Sequence, residues 1–194
     1  MQQGAWNWIP IPLSWPFFKS LPPPWLLSPY RVRILHCASG VLDAIRIPGD
    51  GRCLFRSVAH GAQLRAGKPS PSESLQKLLA DELREKVAEE FIRRREDTEW
   101  FLEGDFNEYI TQMRKPHVWG GEPELLMCSH VLKAPITVYM YKEGSDGLRI
   151  ISEYGQEYGA DNPIRVLYHG YGHYDALQVP LGRTQSKLVE INIR

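Results

Sequence analysis

A surplus of either charge is absent from this chain of 194 residues, in which 23 Lys and Arg stand against 23 Asp and Glu. No global basic field recruits nucleic acid, and no acidic excess forms a solvating tail. Cysteine is scarce and odd in number, with Cys37, Cys53 and Cys128 at spacings that contain no C-x-x-C. That pattern argues against a disulfide framework and a structural zinc site, and it suits a reducing compartment, the cytoplasm or nucleus. Long apolar runs are missing as well. Pro10, Pro12, Pro16, Pro22, Pro23, Pro24 and Pro29 break up the most aromatic stretch, so no membrane-spanning helix fits there. Acids are missing from residues 1–42, which hold four of the six tryptophans and seven of the fifteen prolines. With Lys19, Arg31 and Arg33 this hints at an organelle transit peptide, but the segment is poor in serine and arginine and lacks an amphipathic period. Residues 1–42 are therefore expected to be an irregular Pro- and Trp-rich extension. No internal repeat is visible.

The remainder, 43% hydrophobic over the whole chain, is long enough for one domain with a real core and too short for two. It reads as an α+β (α/β) domain over residues 43–180 with a tail over 181–194. Leu54, Val58, Ala59 and Leu64 lie near one face of a helix over 53–66, which Gly67 ends. Ser70 is expected to cap the next helix, with Pro71 at its first position and Glu73 completing a capping box. That helix carries an apolar stripe of Leu75, Leu78, Leu79, Leu83, Val87 and Phe91. Asp105 and Glu108 start a shorter helix that Pro116 closes. Strands are expected over 135–141 and 148–152, joined by turn chemistry at 144–147, then over 164–168 and from His173.

At the head of the domain Asp50-Gly51-Arg52-Cys53 puts a cysteine where a Gly-rich turn runs into a helix. The unpaired N–H groups and dipole of a helix's first turn favour negative charge there, which suits a thiolate nucleophile. Gly49 and Gly51 let the backbone turn tightly, so the N–H groups of Gly51, Arg52 and Cys53 can converge on an oxyanion. The plainer reading, a small buried hydrophobe ahead of Leu54 and Phe55, stays open.

A thiolate needs a base, and six histidines compete. His60 lies about 10 Å along the same helix from Cys53 and is excluded by reach. His36 sits at the edge of the extension, and His130 lies among apolar residues, where a hydrogen-bonded core imidazole is the expected state. His117 and His169 remain candidates. His173 is preferred, because it starts a strand after a Gly-rich loop and Asp175 projects from the same face two residues on. A metal pair of His169 and His173 lacks a third ligand at a suitable spacing, so no metal or other cofactor is expected. Trp119-Gly120-Gly121 is a loop before a helix that opens with Glu122, Pro123 and Glu124. Its adjacent glycines are suited to close approach of another backbone, as in a clamp over an extended substrate.

Asp50-Gly51-Arg52-Cys53-Leu54-Phe55, Trp119-Gly120-Gly121 with its acid-rich helix start, and Gly172-His173-Tyr174-Asp175, in that order, resemble the ovarian tumour (OTU) family of cysteine proteases, its plant members above all. The resemblance covers about residues 41–179. It implies a papain-like fold with a small, mostly antiparallel sheet packed between helices. It also implies a thiol isopeptidase that, as a monomer, hydrolyses the bond after the C-terminal glycine of ubiquitin through a thioester on Cys53, with His173 as base and then acid. Family members differ over the acid, which here is Asp50 or Asp175. Asp175 is better spaced to orient His173 and Asp50 to hold the Gly51–Cys53 turn, and Asp50→Ala is expected to be more damaging than Asp175→Asn. Glu122, Glu124, Glu153 and Glu157 are candidates to face the arginines of ubiquitin's tail. A silent ubiquitin-binding module, and a thiol hydrolase acting on another ubiquitin-like modifier, are the alternatives.

Overall fold

The computed structural model describes residues 33–37, 40–142, 144 and 147–180, so the expectations for 1–32 and 181–194 lie outside the described residues. Strand-forming sequence begins before residue 43. β1 (Arg33–Cys37) and β2 (Gly40–Ile45) pair antiparallel, which makes residues 33–37 and 40–42 of the expected extension part of the sheet. The partner that fixes β2 is β6 (Tyr174–Gln178), more than a hundred residues downstream, and no local pattern announces such a pairing. The sheet runs β1-β2-β6-β5-β3-β4, with β3 (Ile136–Tyr141), β4 (Leu148–Tyr154) and β5 (Ile164–Tyr168) as the later expected strands. β3 and β5 are parallel and every other neighbouring pair is antiparallel.

Alternation along the strands divides the core between two faces. Ile136, Val138, Ile164, Val166, Tyr174 and Ala176 face α1 (Cys53–Arg65) and the helices around it, whereas Leu42, Ala44, Tyr139, Leu148, Leu167 and Leu177 cluster together on the other side. α1 is buried on every side over residues 53–61, as expected of a helix inside a core and not on its surface. Gly61 permits this, because a Cβ there would lie 2.7 Å from Ile164 Cγ2.

α2 (Glu73–Arg93) covers α1, and its cap differs from expectation: Ser72, not Ser70, accepts from the Leu75 N–H at 3.3 Å. Its buried face differs too. Leu75 and Leu78 are 41% and 56% exposed, while Gln76, Ala80, Leu83, Arg84, Val87, Ala88 and Phe91 are buried. The stripe is turned because two polar side chains, Gln76 and Arg84, are needed inside. α3 (Arg95–Thr98) follows directly, then α4 (Phe106–Met113), capped by Asp105 as expected, and α5 (Glu122–Leu132).

Candidate active site

Cys53 is the first residue of α1 and is buried, so the thiol sits on an element held by core packing. Gly51, just before it, has φ +83, and a Cβ there would lie 2.6 Å from His117 Cα. Only glycine satisfies both demands. The Gly51 carbonyl accepts from Arg84 Nη2 at 2.8 Å, and Arg84 Nη1 donates to the Met113 carbonyl at 2.9 Å while its guanidinium lies 4.3 Å over the Phe55 ring. Arg84 thus ties the turn to the end of α4.

Asp50 grips the same turn from the other side. Its Oδ1 accepts from the Arg52 N–H at 3.0 Å and its Oδ2 from Arg56 Nη1 at 3.0 Å. Arg56 is held in turn by Gln76 Oε1 at 3.2 Å, Gln76 Nε2 by His60 Nδ1 at 3.2 Å, and His60 Nε2 by Gln178 Oε1 at 3.3 Å. A buried polar chain therefore runs from β6 to the turn. The Arg52 N–H, expected among the oxyanion donors, instead donates to Asp50; of the three expected donors, the N–H groups of Gly51 and Cys53 remain candidates.

His173 and Asp175 come from the start of β6. Asp175 Oδ1 accepts from His173 Nε2 at 3.2 Å and from the Ile47 N–H at 2.8 Å, and Oδ2 accepts from His169 Nε2 at 2.9 Å. Burial pushes the carboxyl up, but the hydrogen bonds from His169, His173 and the Ile47 N–H hold Asp175 well below the usual carboxylate range. Burial likewise pulls the His173 imidazole down, yet hydrogen bonds to Asp175 and Cys53, with their charges, raise it from 6.5 to about 9. The Nδ1 side of that ring faces Gly49, whose Cβ, if present, would lie 3.8 Å away. Cys53 Sγ also lies 3.7 Å from the Gly172 carbonyl oxygen. Cys53, His173 and Asp175 are therefore linked in a line, and Asp50 is bound to the turn instead of to His173.

The Trp119 loop lies against this set. A Cβ on Gly172, at φ +71, would meet the Trp119 ring at 2.6 Å, while Trp119 itself is 65% exposed. The two glycines, expected to admit a substrate backbone, also have contacts within the protein. A Cβ on Gly120 would be 3.2 Å from Phe55 Cε2, and the Gly121 N–H donates to Glu124 Oε2 at 2.6 Å. Glu124 also accepts from the Tyr109 hydroxyl, and burial pushes its carboxyl up. It is thus an anchor for the loop and is not available to face a partner's arginines. Glu153 accepts from Thr137 and Glu157 lies 3.4 Å from His130 Nδ1, whereas Glu122 stays on the surface at the head of α5.

Spacing supplied no third ligand for a metal at His169 and His173, but the structure does, since ligand atoms of His169, His173 and Asp175 lie within 4.8 Å of one another. Both imidazoles, however, point at the carboxylate at hydrogen-bond distances, an arrangement of donors on an acceptor and not of lone pairs on a common centre. Among the other histidines, His60 and His130 are hydrogen-bonded, the latter to the Tyr158 hydroxyl at 2.8 Å, and His117 meets the turn through its backbone. Arg84 is the residue the pattern hid. Its signal is faint: Ala80 and Ala88, four residues to either side, make room for an arginine on the buried face.

Residues 48–175 match the family model described as OTU-like cysteine protease. The chain is 70% identical over 133 residues to OVARIAN TUMOR DOMAIN-containing deubiquitinating enzyme 4 of Arabidopsis thaliana, which covers 69% of this chain and 42% of that protein. Among solved structures, the OTUD1 OTU domain aligns at TM-score 0.55 and 25% identity over 71% of this chain and 86% of its own. The Hazara virus OTU domain, solved bound to ubiquitin, aligns at TM-score 0.54 and 23% identity over 72% and 82%. The chain thus spans less than half the length of the Arabidopsis relative.

Proposed function

Because the chain belongs to the OTU-like cysteine protease family, we propose that it is a deubiquitinase, a thiol isopeptidase that cleaves after the C-terminal glycine of ubiquitin. The observation that carries the reading is the line from Cys53 through His173 to Asp175, the first at a helix start and the other two at the start of one strand. The Arabidopsis relative is named a deubiquitinating enzyme, and a viral domain of the same fold was solved with ubiquitin bound.

The Cys53 sulfur attacks the glycine carbonyl carbon, and the oxyanion is received by the N–H groups of Gly51 and Cys53. His173, protonated in the thiolate–imidazolium pair, gives its proton to the departing lysine amine. A thioester remains. Water then attacks it with His173 as base, releasing the ubiquitin carboxylate and restoring the thiol. Asp175 keeps the imidazole oriented and balances its charge, and Asp50 with Arg84 holds the turn in its oxyanion-binding shape. Trp119, exposed beside Gly172, walls the approach to Cys53. Glu122 is the acid that meets the basic tail of ubiquitin, so Glu122→Lys raises KM for ubiquitin substrates and leaves kcat unchanged; an unchanged KM removes Glu122 from the contact.

Among the described residues no helix is long and apolar enough to cross a membrane. The free thiols of Cys53 and Cys128 suit a reducing compartment, the cytoplasm or nucleus. The test is cleavage of a panel of fluorogenic C-terminal amides of ubiquitin and of ubiquitin-like modifiers. Turnover of ubiquitin that Cys53→Ala abolishes supports the reading, whereas turnover of another modifier alone moves the substrate, and binding without turnover makes the domain a silent module.

A further inference from the structure

Two imidazoles share one carboxylate in this site, and the reaction described above uses one of them. His169 Nε2 meets Asp175 Oδ2 at 2.9 Å, opposite the oxygen that accepts from His173 and Ile47. The side chains of His169 and Asp175 are only 8% and 11% exposed. The loop that brings this about is short. Gly170 and Gly172 take φ of +85 and +71, the chain folds back, and the His169 N–H donates to the His173 carbonyl at 3.0 Å. The two rings then stand 5.4 Å apart on one side of the hairpin, with Tyr141 of β3 5.8 Å from His169 behind.

We propose that His169 is a positioning residue for the thiol reaction, donating Nε2–H to Asp175 so that the carboxylate keeps its other oxygen on His173. The inference rests on reading Cys53 and His173 as the reacting pair. An ionised carboxylate only accepts, so a neutral His169 in this contact must be the Nε2–H tautomer. With that donor in place Oδ2 is satisfied, and rotation of the carboxylate would break three hydrogen bonds together. Without it, Oδ2 is buried and unpaired, and the carboxylate turns toward water or another donor at the expense of His173. Among the described residues, the ionisable and charged groups facing His169 and Asp175 include each other, His173 with Cys53 beyond it, and the Tyr141 ring, and the Ile47 N–H also donates to Asp175. His169 meets Asp175 at the oxygen that does not carry His173, so it acts through the carboxylate.

The test uses the whole chain with His169→Leu and His169→Gln, the second keeping an N–H donor at similar reach. Alkylation of Cys53 by iodoacetamide, followed at the Cys53 peptide across pH, reports the thiolate–imidazolium pair without any ubiquitin. We expect His169→Leu to slow alkylation at neutral pH roughly tenfold, the factor carried by a hydrogen bond to a charged group, and His169→Gln to stay within about twofold of the unchanged protein. The rise of the rate with pH, which follows formation of the Cys53 thiolate, shifts to higher pH in His169→Leu, because a displaced carboxylate no longer supports His173 as the imidazolium partner. An unmoved rise, a downward shift, or equal loss in the Leu and Gln variants overturns the proposal. Should His169→Leu fail to fold, the unmodified protein decides: long-range 1H–15N correlation at neutral pH must show His169 as the Nε2–H tautomer, and the Nδ1–H tautomer contradicts the proposal. Neither readout involves ubiquitin, so failure of the ubiquitin reading and failure of this one are seen separately.

Discussion

Asp175→Asn replaces a carboxylate that accepts from Ile47, His169 and His173. An amide brings one acceptor oxygen and one donor group, so at least one of those donors must face another donor. The charge matters more. His173 stands at about 9 against an ordinary 6.5 although its burial pulls the other way, and the gap corresponds to roughly 3 kcal/mol in favour of the imidazolium. Asp175 and Cys53 share that support. If Asp175 holds half, the shift away from the ion pair is a little over tenfold, and if it holds nearly all, about a hundredfold or more. kcat/KM for a fluorogenic ubiquitin amide should fall between those limits, and its basic limb should move from near 9 toward the ordinary imidazole range. Asp50→Ala loosens the turn, since Asp50 holds the Arg52 N–H and Arg56, but leaves the charge beside His173 intact. Its loss should be smaller and should leave the basic limb in place, the reverse of the order expected from spacing. An unmoved limb in Asp175→Asn, or a moved one in Asp50→Ala, refutes the reasoning.

Gly51→Ala forces a Cβ to 2.6 Å from the His117 backbone at φ +83, and it should cost at least about 1–2 kcal/mol from the backbone conformation alone, seen as a lower denaturation midpoint with activity lost. Arg84→Met keeps the bulk over Phe55 but strips donors from the Gly51 and Met113 carbonyls. It should destabilise by roughly 1–3 kcal/mol for each carbonyl left unpaired and lower kcat more than it raises KM; a fall in KM affinity alone would remove Arg84 from the turn's support. Because the folded pKa of His173 is raised, its contribution to stability is fully present below about 6.5 and fades as pH rises toward about 9. The unchanged protein should therefore lose Tm across that window relative to His173→Gln, and parallel curves would show that the imidazolium is not held as described.

The parts of the site that could be read from the sequence are those whose chemistry is local. The Asp50–Cys53 turn, the helix that follows and the Asp105 cap are short-range patterns, and His173 with Asp175 lies on one strand two residues apart. What could not be read depends on partners far along the chain. β1 and β2, which directly follow Pro-rich sequence, were not legible because β2 is fixed by β6. Leu75 and Leu78 look like core until Gln76 and Arg84 are seen to be needed inside, one to reach His60 and Arg56 and the other to reach Gly51. The contacts of Gly120 with Phe55 and of the Gly121 N–H with Glu124 likewise depend on residues outside the local pattern. His169 was one histidine among several until the two glycines of its loop brought it onto Asp175.

The most direct measurement is the mass of the whole chain after incubation with ubiquitin that carries an electrophile at its C-terminus, beside Cys53→Ala. The account predicts a gain of one ubiquitin, located by peptide mapping at Cys53 and absent from the variant. No adduct on folded protein, or an adduct that persists in Cys53→Ala, would contradict it.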